Sequence, residues 1–203
     1  MIHGLEQVGF LSSPYSKQFG QEYHMIRGDK IILRTVREID LDDLFTLVNE
    51  VKNRGEFLTG ELYSEVDFKN QFHKHGFWGE DEGFLLIRVG DKIVGRIGYS
   101  RTMPYFDSLE IWYAIFNPAD WNKGYSTQAV SLLVKHLFST RKINRIQLVT
   151  DARNGASKRV AEKCGFKYEG TARKALFNQG EHHDMEIYSL LRDEVNLRDY
   201  APS

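Results

Sequence analysis

The sequence predicts an α/β protein of the α+β kind: a mixed, mostly antiparallel central sheet of about seven strands with helices on both faces. Three observations point there. Three β-rich runs follow one another between residues 83 and 116 with no helical pattern between them, so their strands pair antiparallel. Two later helical patterns each separate one β-rich run from the next, which implies crossover connections. The chain has 203 residues and shows no repeat or linker after residue 30, so one domain is expected, long enough to bury a substantial core.

Taken in order, residues 1–28 show no clear period and contain Ser12-Ser13-Pro14. They read as an N-terminal arm, followed by a domain over 29–195 and a tail over 196–203. KIILRTV (30–36) reads as a strand. Asp40 is a suitable N-cap for a helix whose apolar stripe is Leu41, Leu44, Leu47 and Val48. Ser64 can cap a second helix carrying Val66, Phe68 and Phe72, which the glycines of HGFWGEDEG then break. GFLLIRV (83–89) and KIVGRIGYS (92–100), joined by Gly90-Asp91, make a hairpin. SLEIWYAIF (108–116) is a further strand. Asn117-Pro118 ends it, because proline cannot donate to a ladder. Val130, Leu133, Val134, Leu137 and Phe138 fall at helical spacing. INRIQLVT (143–150) is another strand. Asn154 is an N-cap for a helix enclosing Val160, Ala161 and Cys164, with Gly165 as its stop. The remainder closes as two strands joined at Asn178-Gln179-Gly180.

Composition excludes several classes. No apolar run approaches the ~20 residues needed to span a bilayer. The N-terminus lacks the basic start and apolar centre of a signal peptide. The lone cysteine, Cys164, forms no internal disulfide and suits a reducing compartment, so a cytoplasmic location is expected. A net charge of −1 gives no global reason to bind nucleic acid or an anionic membrane. Local basic groups at Arg141, Lys142 and Arg145, and at Arg153, Lys158, Arg159 and Lys163, read either as solvated helix faces or as neighbours of a small anion. His182, His183 and Asp184 invite a metal reading. Adjacent histidines on a strand point to opposite faces and no further ligand has suitable spacing, so no metal is expected.

The stretch WNKGYST (121–127) is chemically the most informative. A turn that feeds a helix leaves the first backbone N–H groups without intrahelical partners, and the helix dipole adds positive character there. An anion such as phosphate suits that position. Gly124 allows close approach, while Ser126 and Thr127 offer hydroxyl donors. A plain structural role for Gly124 as a turn residue and Ser126 as an N-cap stays open. The P-loop pattern and the dinucleotide fingerprint G-x-G-x-x-G are both absent.

WNKGYSTQAV, then NGASKRVAEKCGFKYEG, then HHDMEIYSLLRDE together resemble the GNAT superfamily of acyltransferases, within it the RimJ/RimL-like N-acetyltransferase branch. The resemblance spans roughly residues 29–195. It implies acetyl-CoA or another acyl-CoA as co-substrate, with its diphosphate on the turn Trp121, Asn122, Lys123, Gly124, Tyr125, Ser126 and Thr127. Trp121 stands where the family usually has Arg or Gln, and Ser126 where it has Gly or Ala. The resemblance also implies that the strand ending at Ile115 and Phe116 pairs its backbone with the pantetheine arm. Asn154 and Ser157 match the family's N-x-x-S, which implies that Asn154 is a cofactor-side residue and Ser157 the proton donor to the departing sulfur; a plain N-cap for Asn154 and a first-turn helix position for Ser157 are the alternative. Ala161 occupies the position where many relatives carry a tyrosine. Arg153, Lys158 and Arg159 are candidates for the 3′-phosphate, Arg159 foremost.

The base expected to deprotonate the amine is Glu110, which shares a strand face with Trp112 and Ala114. A solvated edge position is its alternative. Tyr113 lies on the other face and reads as core. The acceptor region is expected from residues 52–80 and the last hairpin. Glu56, Glu61, Glu65, Glu80, Asp81 and Glu82 can attract a cation, and Phe57, Phe77 and Trp78 can form walls; a solvated acidic loop over core aromatics is the plainer reading. The implied activity is acetyl transfer to a primary amine, a protein N-terminal α-amine or similar, by direct attack on the thioester. A small amine acceptor and a non-catalytic acyl-CoA sensor are the alternatives. Either a monomer or a homodimer is compatible.

Overall fold

The structure is a computed structural model, and it describes residues 25–53, 55–58 and 62–197. Eight strands run through it: β1 (Met25–Arg27), β2 (Ile32–Arg34), β3 (Glu82–Val89), β4 (Lys92–Arg101), β5 (Ser108–Ile115), β6 (Arg145–Asp151), β7 (Lys167–Asn178) and β8 (Glu181–Leu191). They form one sheet in the order β1-β2-β3-β4-β5-β6-β8-β7. The β5–β6 pair is parallel, and the other neighbouring pairs are antiparallel. Four α-helices complete the fold: α1 (Leu41–Asn49), α2 (Glu65–His75), α3 (Tyr125–Thr140) and α4 (Gly155–Lys163).

The mixed sheet agrees with the sequence, with one refinement. The β6–α4–β7 passage does not place β7 beside β6, because β8 inserts between them. The closing hairpin keeps β7 and β8 adjacent: Asn178 pairs with Glu181 across a two-residue turn, Gln179-Gly180, in which both residues have positive φ. The arm expected over 1–28 lies mostly outside the described residues, and its end supplies the edge strand β1. Of the expected tail, residues 198–203 lie outside, as does Glu61, while Leu197 packs on the core.

Helices cover both faces, which is why β3 buries Gly83 through Ile87 without alternation. On one face α3 packs Val130, Leu133, Val134, Leu137 and Phe138 against the sheet. Full burial of each contributes about 1.5–3 kcal/mol. On the other face Leu41, Leu44 and Val48 of α1 and Phe68 of α2 pack on Phe84 and Leu86.

Two expectations about the helices need correction. Asp40 precedes α1 but makes no side-chain cap on it. Its carboxylate instead receives both Nη groups of buried Arg34, at 2.6 and 2.7 Å, and the Arg37 N–H at 2.8 Å. An acidic residue at a helix start suits either use, and the buried arginine decides it. Val66 is 68% exposed, so α2 buries Phe68 without it. Ser64 does cap α2, accepting the Asp67 N–H.

Candidate active site

β5 and β6 pair only from Ser108↔Arg145 to Ile111↔Leu148. Beyond that point β4 still holds β5 as far as Ile115, and β8 holds β6 as far as Asp151. Each strand follows its outer neighbour, and a split opens between them. Phe116 donates its N–H to Val94 O at 3.0 Å, toward β4. Backbone groups alternate along a strand, so those of Tyr113 and Ile115 face the split. Phe116 itself is buried among the aromatic core residues of the α1/α2 face.

The turn after β5 is built to a fixed shape. Asn117 accepts the Ala119 N–H at 2.9 Å across Pro118. Asp120 is buried, with Lys123 Nζ at 2.9 Å and Lys92 Nζ at 2.6 Å, and those two cations hold its carboxyl below the usual range. Trp121 donates its indole N–H to Ile115 O at 3.0 Å, which ties the turn to the end of β5. Asn122 has φ 59° and Gly124 φ 83°, a left-handed conformation that favours glycine. The helical ladder of α3 begins with Gln128 N–H on Gly124 O at 3.1 Å. The amides of Tyr125, Ser126 and Thr127 therefore precede it, as the anion reading requires. Gly124, rather than Ser126, is the N-cap. The sequence reading missed two residues here. Gln128 accepts the N–H groups of Lys30 and Ile31, and Lys30 Nζ reaches Lys123 O at 3.4 Å. A cation thus stands beside the amide cluster, placed there by a residue 93 positions away.

At the start of α4, Asn154 accepts the Ser157 N–H at 3.0 Å, the expected cap. Ser157 Oγ lies 2.9 Å from the Tyr113 hydroxyl, a bond in which either group can donate. Tyr113 is thus half-buried on the α3/α4 face with its hydroxyl engaged rather than lost in the core. Burial pushes its phenol up to about 12. Of the cationic candidates, Arg153 is committed to Asp151 by a bond at 2.8 Å, and Lys158 to Ala152 O at 2.9 Å and Glu186 at 3.2 Å. Arg159 stands exposed.

Glu110 lies on the opposite face, one pairing step before the split, where Gln147 Nε2 donates to its carboxylate at 2.8 Å. It shares that face with Trp112 and Ala114, as the alternation predicts. His183 also faces this side, with Nδ1 3.9 Å from buried Asp151. Its Nε2 lies 3.1 Å from the Asn178 carbonyl, which can only accept, so Nε2 carries the hydrogen. His182 packs on Phe177 instead, and Asp184 accepts the Lys174 N–H. The backbone carbonyl of Glu56 receives Asn178 and Gln179, and Arg153 lies over the Phe57 ring. The 55–58 turn and the last hairpin therefore meet near the split. Other acceptor candidates do not gather there. Phe77 is buried against Phe68 and Phe84, Trp78 packs on Tyr99, Asp81 pairs with Arg101, and Glu65 pairs with Lys69. Glu80 and Glu82 flank Asp81 at the beginning of β3, away from the open end of β5.

A split sheet beside a helix-starting turn is a geometry that known proteins share. The acetyltransferase (GNAT) domain family matches residues 30–167, more than half of the chain. The chain belongs to the GNAT acetyltransferase family. Among relatives of this GNAT acetyltransferase, the Bacillus subtilis protein YoaA, described as an uncharacterized N-acetyltransferase, is 26% identical over 84% of this chain and 98% of its own. Two solved structures show the same fold. RimL, a ribosomal α-N-protein acetyltransferase in complex with coenzyme A, has a TM-score of 0.71 and 21% identity, covering 85% of this chain and 100% of its own. The spermidine N-acetyltransferase of Vibrio cholerae, in complex with coenzyme A and spermine, has a TM-score of 0.71 and 19% identity, covering 82% and 98%. No helix among the described residues of this GNAT acetyltransferase is long and apolar enough to cross a membrane.

Proposed function

We propose that this acetyltransferase moves the acetyl group of acetyl-CoA to a primary amine, a protein N-terminal α-amine or similar, by direct attack on the thioester. The observation that carries the reading is the split between β5 and β6, with the amides of Tyr125–Thr127 and the Tyr113–Ser157 pair at one side and Glu110 at the other. The diphosphate of the co-substrate fits the α3 N-terminus: a Cβ built on Gly124 meets only Lys30 Nζ, at 3.7 Å, so the turn is open to an anion and a cation stands beside it. Backbone groups of Tyr113 and Ile115 line the way for an extended chain, and the Ile115 carbonyl is the one Trp121 already holds.

In the reaction a C–N bond forms at the thioester carbon and the C–S bond breaks. Tyr113 and Ser157 share one hydrogen bond, so one hydroxyl remains able to donate to the departing sulfur. Glu110, fixed by Gln147, takes the amine's proton through water. The acceptor's own acidity sets the demand on that base. Freeing an α-amine of pKa near 7.7–8.0 at pH 7 costs about 1 kcal/mol, whereas a lysine near 10.4 costs about 4.6 kcal/mol. A water-relayed carboxylate suits the first. The test is coenzyme A release against peptides with free N-termini, polyamines, amino acids and aminoglycosides, with product masses confirmed. Release matched mole for mole by an N-acetylated peptide supports the reading. Tight acetyl-CoA binding with no release from any amine sinks it and leaves a sensor.

A further inference from the structure

Arg96 on β4 pairs with Ala114, the stretch of β5 that β6 has already left, and it shares its face with Trp112 and Glu110. Its guanidinium carbon lies 5.2 Å from the Trp112 ring centre and 5.6 Å from those of Tyr63 and Phe84. Nη2 donates to the Tyr63 hydroxyl at 3.2 Å. Nε is buried with no hydrogen-bond partner. Among the described residues no carboxylate lies within ion-pair distance of Arg96. Arg34 and Arg88 also bury an unpartnered Nε, yet each has a carboxylate at its other end, Asp40 at 2.6 Å and Asp91 at 3.2 Å. Arg96 alone of the three holds its charge against aromatic rings beside the split.

A half-buried cation with its Nε out of water and no counter-charge among the described residues is costly, and a planar guanidinium is shaped to receive a carboxylate. The rings lie around the guanidinium, Nε is shut away, and the Nη end at the exposed Tyr63 contact is the part a ligand can reach. We propose that Arg96 is an anion receptor on the acceptor side, so that the amine acetylated here carries a carboxylate a few bonds from its nitrogen. The inference rests on the acyl-transfer reading above. Two sources supply this chemistry: the α-carboxylate of a free amino acid, or an Asp or Glu side chain at a peptide N-terminus.

The test compares kcat/KM on matched pairs: an aspartate-led against an asparagine-led tripeptide, and an amino acid against its amide. The protein should favour the carboxylate member of one pair by about tenfold or more, as a charge-assisted bond would give. The favoured pair names the source. Arg96→Met, which keeps the apolar stem, should bring the ratio to within about twofold of one, while Arg96→Lys should retain part of it. Tryptophan fluorescence supplies a second readout, titrating succinate against succinamide with coenzyme A present: succinate alone should give a saturable change, lost in Arg96→Met. Ratios near one for the unmodified protein, or a preference that survives Arg96→Met, overturn the inference without touching the transfer reading. If no amine is acetylated while the succinate response stands and needs Arg96, the transfer reading falls and the anion site remains.

Discussion

Replacing Tyr113 by Phe removes the hydroxyl 2.9 Å from Ser157 Oγ and leaves the half-buried ring in place. The size of the loss follows from the acidity of the group. Burial holds the phenol at about 12, while a thiol leaves with a pKa near 8.5. Full proton transfer from Tyr113 to the thiolate would run uphill by about 3.5 units, roughly 4.8 kcal/mol. The pair therefore stabilises the sulfur by a hydrogen bond to charge rather than by complete transfer, a contribution of about 1.5–3 kcal/mol. Tyr113→Phe and Ser157→Ala should each lower kcat by about 10- to 150-fold, and the double variant should lose little more, because the two hydroxyls act as one unit. Acetyl-CoA affinity, measured by calorimetry, should change far less than kcat. The rate profile from pH 6 to 10 should keep its shape, since a group at about 12 stays protonated throughout that range. Single variants within twofold of the parent in kcat would remove the pair from the chemistry.

Gly124→Val places a β-branched residue at φ 83°, so a stability loss of about 1–2 kcal/mol and weaker acetyl-CoA binding are expected by denaturant titration and calorimetry; Gly124→Asn should lose less. Asp40→Ala leaves Arg34 buried without its bidentate partner, and urea unfolding should show a loss of about 3–5 kcal/mol; a loss below 1 kcal/mol refutes the assigned role. Asp120→Asn should lower Tm at pH 7. Because Lys123 and Lys92 depress the Asp120 carboxyl, its stabilisation is full above the ordinary carboxylate range and drains as pH falls through its lowered value, so the Tm gap should close in acid. A gap of equal size at pH 7 and pH 3 would show that the pairing is not what matters.

Most of the fold was legible because its signals are local. Gly90-Asp91 forces a tight turn, and β3 and β4 pair from Val89↔Lys92 outward. Gly165 has φ 85° and stops α4 where the sequence placed the stop. Illegible features were those in which one residue type serves two purposes. Asp40 was read by its distance from a helix, yet its energetics come from Arg34, whose guanidinium is buried and needs a charge. The position of β8 between β6 and β7 is likewise a choice among topologies with the same element order.

The candidate site divides along the same line. Gly124 and Asn154 act on amides within a few residues, so spacing found them. Lys30, Tyr113 and Arg96 act across the sheet, and spacing could not. Tyr113 reads as core because its ring is apolar and its face carries Ile111 and Ile115, but a phenol on a buried face needs a partner. Ser157, 44 residues later, supplies it. Nothing in KIVGRIGYS singles out Arg96 as more than one basic residue in a strand. Only the packing of Tyr63, Phe84 and Trp112 around it takes its Nε out of water and sets the half-buried guanidinium against rings. Its geometric support is equally non-local: a Cβ at Gly98 would come within 2.4 Å of Trp112 Cζ2 and 2.6 Å of the Gly83 carbonyl oxygen, so that glycine makes room for the indole and for β3 alike. Gly98→Ala should therefore displace Trp112 and push β3 away at Gly83, with a loss of Tm and of the preference for a carboxylate, while leaving the α3 turn and its affinity for acetyl-CoA in place.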